Sequence, residues 1–318
     1  MKKLLLTRRF PETTIVAARD RFDVTVRDRA EGLSVEEATE ALQQYDAILC
    51  TLGDKFTDLA FAVPNKRCGV IGSFGVGYNH IDVAAAQAAG IQVSNTPDVL
   101  TDATADLAMT LILMTARRAG EGERLVRAGG WDGWHPTQML GTHVTGKRIG
   151  IVGMGRIGQA VARRAHFGFG MKVIYFNRSQ KDVDFPARQV DNLHGLMSQS
   201  DVVVVTVPGG GSNTHLIDAE ALAQLADGAI FVNVARGDVV DEAALVAELQ
   251  AGRISAGLDV YEKEPVVPQA LTQLQNVVLL PHLGSAALEI REAMGRMALD
   301  NIMAWDEGRP LPQGLWTA

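Results

Sequence analysis

Cysteine is scarce in this chain of 318 residues, which holds only Cys50 and Cys68. Neither falls in a CxxC or any metal-like spacing, and Cys50 lies in an apolar run. A disulfide framework is therefore excluded, no metal is expected, and core thiols in a reducing compartment are the reading. An excess of positive charge is also missing. Thirty Lys and Arg stand against 37 Asp and Glu, a net charge of −7, so no basic surface argues for nucleic acid or membrane. Long apolar runs are absent too. The opening MKKLLLTRRF has only Leu4, Leu5 and Leu6 before Arg8 and Arg9, too short for a signal peptide. No run approaches membrane-spanning length, and no solenoid repeat or low-complexity tract occurs. The expectation is a soluble cytoplasmic protein, long enough for two domains and a full core.

What is present centres on residues 147–177. An apolar run over 148–152 reads as a buried parallel strand, and Gly153-Met154-Gly155-Arg156-Ile157-Gly158 then fits G-x-G-x-x-G. A helical spacing over 156–167 and a second apolar run over 172–176 follow. Strand before and helix after are the context this fingerprint requires, so the stretch reads as a dinucleotide site. Gly153 permits the tight turn, Gly155 lets the main chain approach a pyrophosphate, and Gly158 lets helix and strand pack closely. The first-turn N–H groups and the positive helix end then face the phosphates. The second strand ends in Asn177-Arg178-Ser179, with no carboxylate where an NAD site holds the ribose 2′-hydroxyl. Asn and Ser donate hydrogen bonds and Arg178 pairs with a 2′-phosphate, so NADP is preferred, with NAD as the alternative cofactor.

Short strands and helices alternate on both sides of this centre. Before it, strands are expected over 4–6, 24–26, 47–50, 70–71 and 92–93, with helices over 13–21, 34–42 and 80–89. Ser34 and Glu37 form a capping-box pair. A long apolar helix over 101–118, with Thr101 as its N-cap, is placed between domains, and a Gly- and Trp-rich loop over 129–134 leads to the fingerprint strand. After it come strands over 201–207, 229–234, 255–258 and 277–280, an irregular loop over 208–213, and helices over 241–251 and 285–305. This rhythm predicts an α/β fold of two doubly wound parallel-sheet domains. A Rossmann dinucleotide-binding domain, 100–285, is inserted into a flavodoxin-like substrate-binding domain, 1–99 and 286–318. The cleft between them, at the carboxyl ends of the cofactor-domain strands, is the expected site.

Three polar residues follow consecutive strands in the second half. Arg236 comes after the strand over 229–234, Glu264 after that over 255–258, and His282 after that over 277–280. Reducing a carbonyl beside a nicotinamide needs a clamp for the negative end of the substrate, a proton donor, and a group to poise that donor. An Arg at a strand end clamps a carboxylate bidentately.

With these residues in view, the chain resembles the D-isomer-specific 2-hydroxyacid dehydrogenases, in their glyoxylate/hydroxypyruvate reductase branch. The resemblance spans nearly the whole chain. It is carried by Gly75-Val76-Gly77-Tyr78-Asn79-His80-Ile81-Asp82, the fingerprint, Val232-Asn233-Val234-Ala235-Arg236-Gly237, Gly257-Leu258-Asp259-Val260 through Glu264-Pro265, and Pro281-His282-Leu283-Gly284-Ser285. It implies that His282 is the acid/base, that Glu264 hydrogen-bonds its imidazole, and that Arg236 clamps the substrate. Glu262 is the nearest decoy for Glu264, which the family pattern favours by its place before Pro265. The backbone N–H groups of Val76 and Gly77 resemble the carboxylate cradle. Asp259 resembles the acceptor for the nicotinamide amide, and Thr104 a phosphate contact. The resemblance also places the cofactor against Val207, Pro208 and Thr214, then Val234 and Ala235, and beside His282 and Gly284. Leu52, the neighbourhood of Val76, and Trp134 shape the substrate pocket, with Trp134 reaching into a partner subunit of a homodimer.

Two stretches depart from the family pattern. Pro208-Gly209-Gly210-Gly211-Ser212-Asn213-Thr214 is richer in glycine than the commoner Pro-x-Thr, and Asn177-Arg178-Ser179 is similar to NADP-preferring members. The activity implied is reduction of a small 2-oxo acid, glyoxylate or hydroxypyruvate, to the D-2-hydroxy acid. A formate dehydrogenase is disfavoured, since that branch carries Gln where Glu264 stands. A phosphoglycerate dehydrogenase is a less favoured branch, since the sequence ends at Ala318 without the regulatory extension common there. An NAD(P)H-sensing corepressor of the same fold is the alternative from another class.

Overall fold

The computed structural model describes residues 1–315 and divides into two compact units. One comprises Met1–Leu100 with the segment from Ser285 onward, and the other is Thr101–Gly284.

In the first unit, β1 (Lys3–Leu6), β2 (Asp23–Val26), β3 (Ala47–Cys50), β4 (Val70–Ser73) and β5 (Gln92–Ser94) form a parallel sheet in the order β5-β4-β3-β1-β2. This is the flavodoxin-like order. Side chains alternate between faces, and the central strands β3 and β4 are covered on both, so every residue in them is buried, whereas the edge strand β2 keeps Asp23 and Thr25 toward solvent. Leu5, Ile48, Cys50, Ile71 and Val93 belong to one cluster with Ala38, Ala41 and Leu42 of the helix Val35–Gln44. Leu4, Leu6, Leu49 and Val70 belong to the other, with Ile15 and Ala18 of Glu12–Arg19 and Ala298, Leu299 and Ile302 of Leu288–Asp306. Ser34 and Glu37 make the capping box in full. The short strand Gly314–Leu315 adds antiparallel to the free edge of β5.

In the second unit, β6 (Arg148–Val152), β7 (Lys172–Phe176), β8 (Ala187–Gln189), β9 (Val202–Val205), β10 (Ile230–Asn233), β11 (Ser255–Leu258) and β12 (Val277–Leu279) are all parallel. Their order is β12-β11-β10-β9-β6-β7-β8, the Rossmann order with one strand added. The chain reverses direction across the sheet between β6 and β9, so the fingerprint after β6 sits at the switch point. Ile149, Ile151, Val204 and Val232 pack against the helices Thr101–Ala116 and Arg156–Phe169. Val203, Val205, Phe231 and Leu258 face Leu193–Gln199, Ala219–Ala223 and Glu242–Gln250.

Several expected boundaries are corrected. The helix expected over 80–89 is Val83–Ala88, because the Asp82 side chain caps it by accepting from Ala85 N–H. His80 and Ile81 are drawn instead into a bridge with Phe56, whose N–H donates to His80 O at 3.1 Å. The helix expected over 101–118 starts on Thr101 itself, so Thr101 is not its cap, and it stops at Ala116. Arg118 takes a left-handed φ of 52°, and a second helix, Ala119–Arg127, begins after it. The last helix begins at Leu288, since Ala287 N–H turns back onto Ser285 O at 2.9 Å. Cys50 and Cys68 are both buried and free. No helix among the described residues is long and apolar enough to cross a membrane.

Candidate active site

The fingerprint glycines occupy three different environments, all within the second unit. Gly153 has φ 96°, a conformation that favours glycine, and a Cβ there would stand 2.6 Å from Val207 Cγ1. At Gly158 a Cβ would stand 2.2 Å from Gly153 O and 2.9 Å from Thr206 Oγ1, so helix and strand touch at this point. At Gly155 a Cβ would meet no atom within 4 Å. That open space adjoins the start of Arg156–Phe169, whose N-cap, Gly155, offers no side chain to the first-turn N–H groups. A free first turn beside an open glycine is a phosphate cradle, and these residues fit a dinucleotide pyrophosphate. Arg156 is exposed, Met154 is buried, and Ile157 packs partly against the core.

Strand β7 delivers Asn177 to the same place. Its Oδ1 accepts from Met154 N–H at 3.1 Å, and its Nδ2 donates to Ser179 O at 2.8 Å. One amide thus ties the glycine loop to the turn carrying the exposed Arg178 and Ser179. An aspartate at this position would keep the first contact and lose the second.

Strands β10, β11 and β12 are adjacent, with Asn233 opposite Leu258 and Leu258 opposite Leu279. Their carboxyl ends therefore deliver Arg236, Asp259 and His282 to one rim. His282 Nδ1 lies 2.8 Å from Glu264 Oε2, and the other Glu264 oxygen accepts from Tyr261 N–H at 3.1 Å. Glu262 instead lies 3.5 Å from His215 Nε2. Partial burial pushes the Glu264 carboxyl up, but the His282 hydrogen bond and charge outweigh it. With Tyr261 N–H and Arg236 they hold it below its ordinary value of 4.5. The pair is thus ionised on the Glu264 side at neutral pH, and that ionisation is lost only as pH falls through the lowered value.

His282 is held in a left-handed conformation, φ 54°, by Asp259. The Asp259 carbonyl accepts from His282 N–H at 2.9 Å, and its carboxylate accepts from Leu283 N–H at 2.6 Å and Gly284 N–H at 2.9 Å. Asp259 is 1% exposed, and that burial pushes its carboxyl up against the pull of these bonds and of His282. Its main visible role is thus to brace the histidine turn, which sequence pattern does not reveal. Thr104, likewise buried, spends its hydroxyl proton on Gly284 O at 3.1 Å.

Arg236 donates from Nη1 to Ala235 O at 2.7 Å, while its buried Nε has no hydrogen-bond partner among the described residues. A buried donor without an acceptor is costly, and a carboxylate is one group whose chemistry would satisfy it. Burial lowers the guanidinium pKa, while the Glu264 and Asp238 charges pull the other way. Val234 and Ala235 are buried beside it, whereas Pro208 and Thr214 are exposed. Trp134 is 79% exposed.

The turn expected to cradle the carboxylate, with Val76 and Gly77, lies in the first unit. Asn95 Nδ2 donates to Val76 O at 2.8 Å, and Thr96 N–H donates to Gly75 O at 2.9 Å. These bonds pin the turn that presents Val76 and Gly77; Leu52, on another loop of this unit, is partly exposed. Asn95 carries no local sequence signal, since its hydrogen bond reaches a residue 19 positions away.

Known proteins resemble this chain over nearly its whole length. Residues 109–284 match the family model of the D-isomer specific 2-hydroxyacid dehydrogenase, NAD binding domain. A glyoxylate reductase of Thermococcus kodakarensis is 43% identical, over 98% of this chain and 95% of that protein. A glycerate dehydrogenase of Hyphomicrobium methylovorum is 38% identical, over 99% of each. Among solved structures, an NADPH-dependent glyoxylate/hydroxypyruvate reductase from Sinorhizobium meliloti, in complex with NADP and malonate, superposes with a TM-score of 0.88. It is 34% identical, and the match covers 99% of this chain and 96% of that one.

Proposed function

The chain belongs to the D-isomer-specific 2-hydroxyacid dehydrogenases, and from that premise we propose that it reduces glyoxylate or hydroxypyruvate to the D-2-hydroxy acid, with NADPH as the preferred reductant. The observation that carries this reading is the 2.8 Å contact between His282 Nδ1 and Glu264 Oε2, on the rim where Arg236 keeps an unpartnered donor. A nicotinamide cofactor held by the glycine loop of residues 153–158 would supply the hydride for C2 of the substrate. Arg236 takes the carboxylate and the carbonyl oxygen, neutralising charge that grows on that oxygen as C2 is reduced. With Nδ1 committed to Glu264, Nε2 of His282 is left to give its proton to the same oxygen. Asp259 keeps the imidazole turn in place, and within the first unit the Val76 and Gly77 N–H groups are proposed as an anion-binding turn.

Turnover separates this reading from a nicotinamide-sensing binding protein. Purified protein should oxidise NADPH with glyoxylate or hydroxypyruvate at ordinary enzyme rates, and NADPH binding without turnover would remove the reductase reading. In the wild type the acid limb of the rate profile belongs to Glu264 and falls below pH 4.5, because the carboxyl is held under that value. Glu264→Gln should erase that limb and lower kcat, because the carboxylate that orients the imidazole is gone. An unchanged acid limb with wild-type kcat would take Glu264 out of the mechanism.

For the cofactor, support comes from the missing carboxylate after β7 and from Arg178, which has no carboxylate partner among the described residues. Asn177→Asp should lower kcat/KM for NADPH by about tenfold, the effect of roughly 1.4 kcal/mol of repulsion at the 2′-phosphate. The NADH value should hold or rise. A wild-type preference for NADH would end the argument. The homodimer belongs to the same proposal: Trp131 and Trp134 are 56% and 79% exposed, an aromatic surface that a partner would cover. Light scattering should give twice the chain mass, and a monomer at working concentration would contradict it.

A further inference from the structure

The glycine run after β9 has a use that its position in the chain does not disclose. Arg236 is confined at its root. On one side Asn233 accepts from Ala235 N–H at 3.0 Å and donates to Arg236 O at 2.9 Å. On the other side lies Gly209, where a Cβ would stand 2.7 Å from Arg236 Cγ, 2.8 Å from Arg236 Cβ and 2.7 Å from Asp238 Oδ1. Those distances are well inside van der Waals contact. Atoms at the root of an arginine cannot swing aside as its tip can, so a side chain at 209 must displace either the loop or the arginine. Gly210 is left-handed at φ 76° and gives its N–H to Asp238 Oδ2 at 2.7 Å. Gly211 is also left-handed, at φ 57°. Past the loop, His215 N–H donates to Asp238 O at 2.8 Å. The loop is therefore laced at two points to the turn that carries Arg236. Asp238 also places a carboxylate on that side of the guanidinium.

We propose that Gly209 and Asp238 are positioning residues for the substrate: together they set the direction of the Arg236 guanidinium, so carboxylate recognition depends on a loop that does not touch the carboxylate. This rests on the reading of Arg236 as the clamp. It also accounts for the departure from Pro-x-Thr. Glycine at 209 leaves room for the arginine stem, and glycine at 210 and 211 lets the loop turn back to reach Asp238.

The test is calorimetric titration of oxalate, a planar carboxylate probe, into the NADPH-saturated full-length protein, with NADPH affinity measured separately. Gly209→Ala should weaken oxalate by about 10- to 100-fold, as expected for a charged group misplaced by an ångström. NADPH affinity should fall by clearly less than oxalate affinity, since the altered group faces the arginine. In an Arg236→Ala background, Gly209→Ala should cause no further loss of oxalate binding, because coupled residues do not add. Asp238→Asn keeps the shape and the acceptor for Gly210 while removing the charge, and should weaken oxalate by about threefold. That variant keeps the proposal testable if Gly209→Ala does not fold. Unchanged oxalate affinity in both variants, an equal loss of NADPH affinity, or an additive loss in the double variant would overturn the proposal. If Arg236→Ala itself leaves oxalate binding intact, the clamp reading fails first, and this proposal falls with it.

Discussion

His282→Ala lowers kcat for glyoxylate reduction by about 10²-fold or more, while NADPH affinity changes little. Nδ1 of the His282 ring is 2.8 Å from Glu264, so the ring is oriented with Nε2 outward, and the nearby Asp259 carboxylate is occupied by two backbone N–H groups. Glu264 is an anion bound to the histidine, and Arg236 does not give up a proton. With the imidazole gone, the developing alkoxide must wait for water. The backbone complicates the experiment, because His282 sits at φ 54°, where alanine is strained by roughly 1–2 kcal/mol. His282→Asn separates the two effects. Asparagine tolerates the left-handed region but supplies no acid, so both variants should lose kcat to a similar extent. If His282→Asn retains most of the wild-type kcat, the histidine is not the proton donor.

Gly158→Ala produces the largest expected change in cofactor binding. Its Cβ would stand 2.2 Å from Gly153 O, a backbone atom in the tight turn, and 3.0 Å from Ile151 Cγ2 in β6. Neither can yield cheaply. The helix must lift from the strand, carrying with it the first-turn N–H groups that are the proposed hold on the pyrophosphate. Overpacking of this kind costs about 1–3 kcal/mol, and misplacing the N–H groups by an ångström should cost about 10²-fold in affinity. Fluorescence titration with NADPH, beside a thermal melt, distinguishes a moved helix from an unfolded domain. Wild-type NADPH affinity in a folded Gly158→Ala protein would contradict the account of the fingerprint.

The reach of sequence reading varied with the range of the interaction. Strands such as Val202–Val205 are buried on both faces and therefore announce themselves as β-branched runs. Ala187–Gln189, a half-exposed edge strand, and Gly314–Leu315, two residues long, carry no such pattern. The break at Arg118 was hidden because arginine is a good helix former, and only the left-handed backbone reveals it. Asp82 could have been read as a cap, but the Phe56 bridge that frees His80 and Ile81 from the helix is a tertiary contact. At the site, residue types and strand ends pointed to Arg236, Glu264 and His282. The supports behind them lie elsewhere in the chain. Asp259 reaches the histidine turn across 24 and 25 positions, Gly210 reaches Asp238 across 28, and Asn177 reaches Met154 across 23. Hydrogen bonds of that range are set by the packed sheet, not by local pattern.

Chiral analysis of the product is the most direct test of the whole account. Hydroxypyruvate incubated with the protein and NADPH should yield D-glycerate, with one NADPH consumed for each molecule formed. L-Glycerate, or NADPH bound with no glycerate formed, would contradict it.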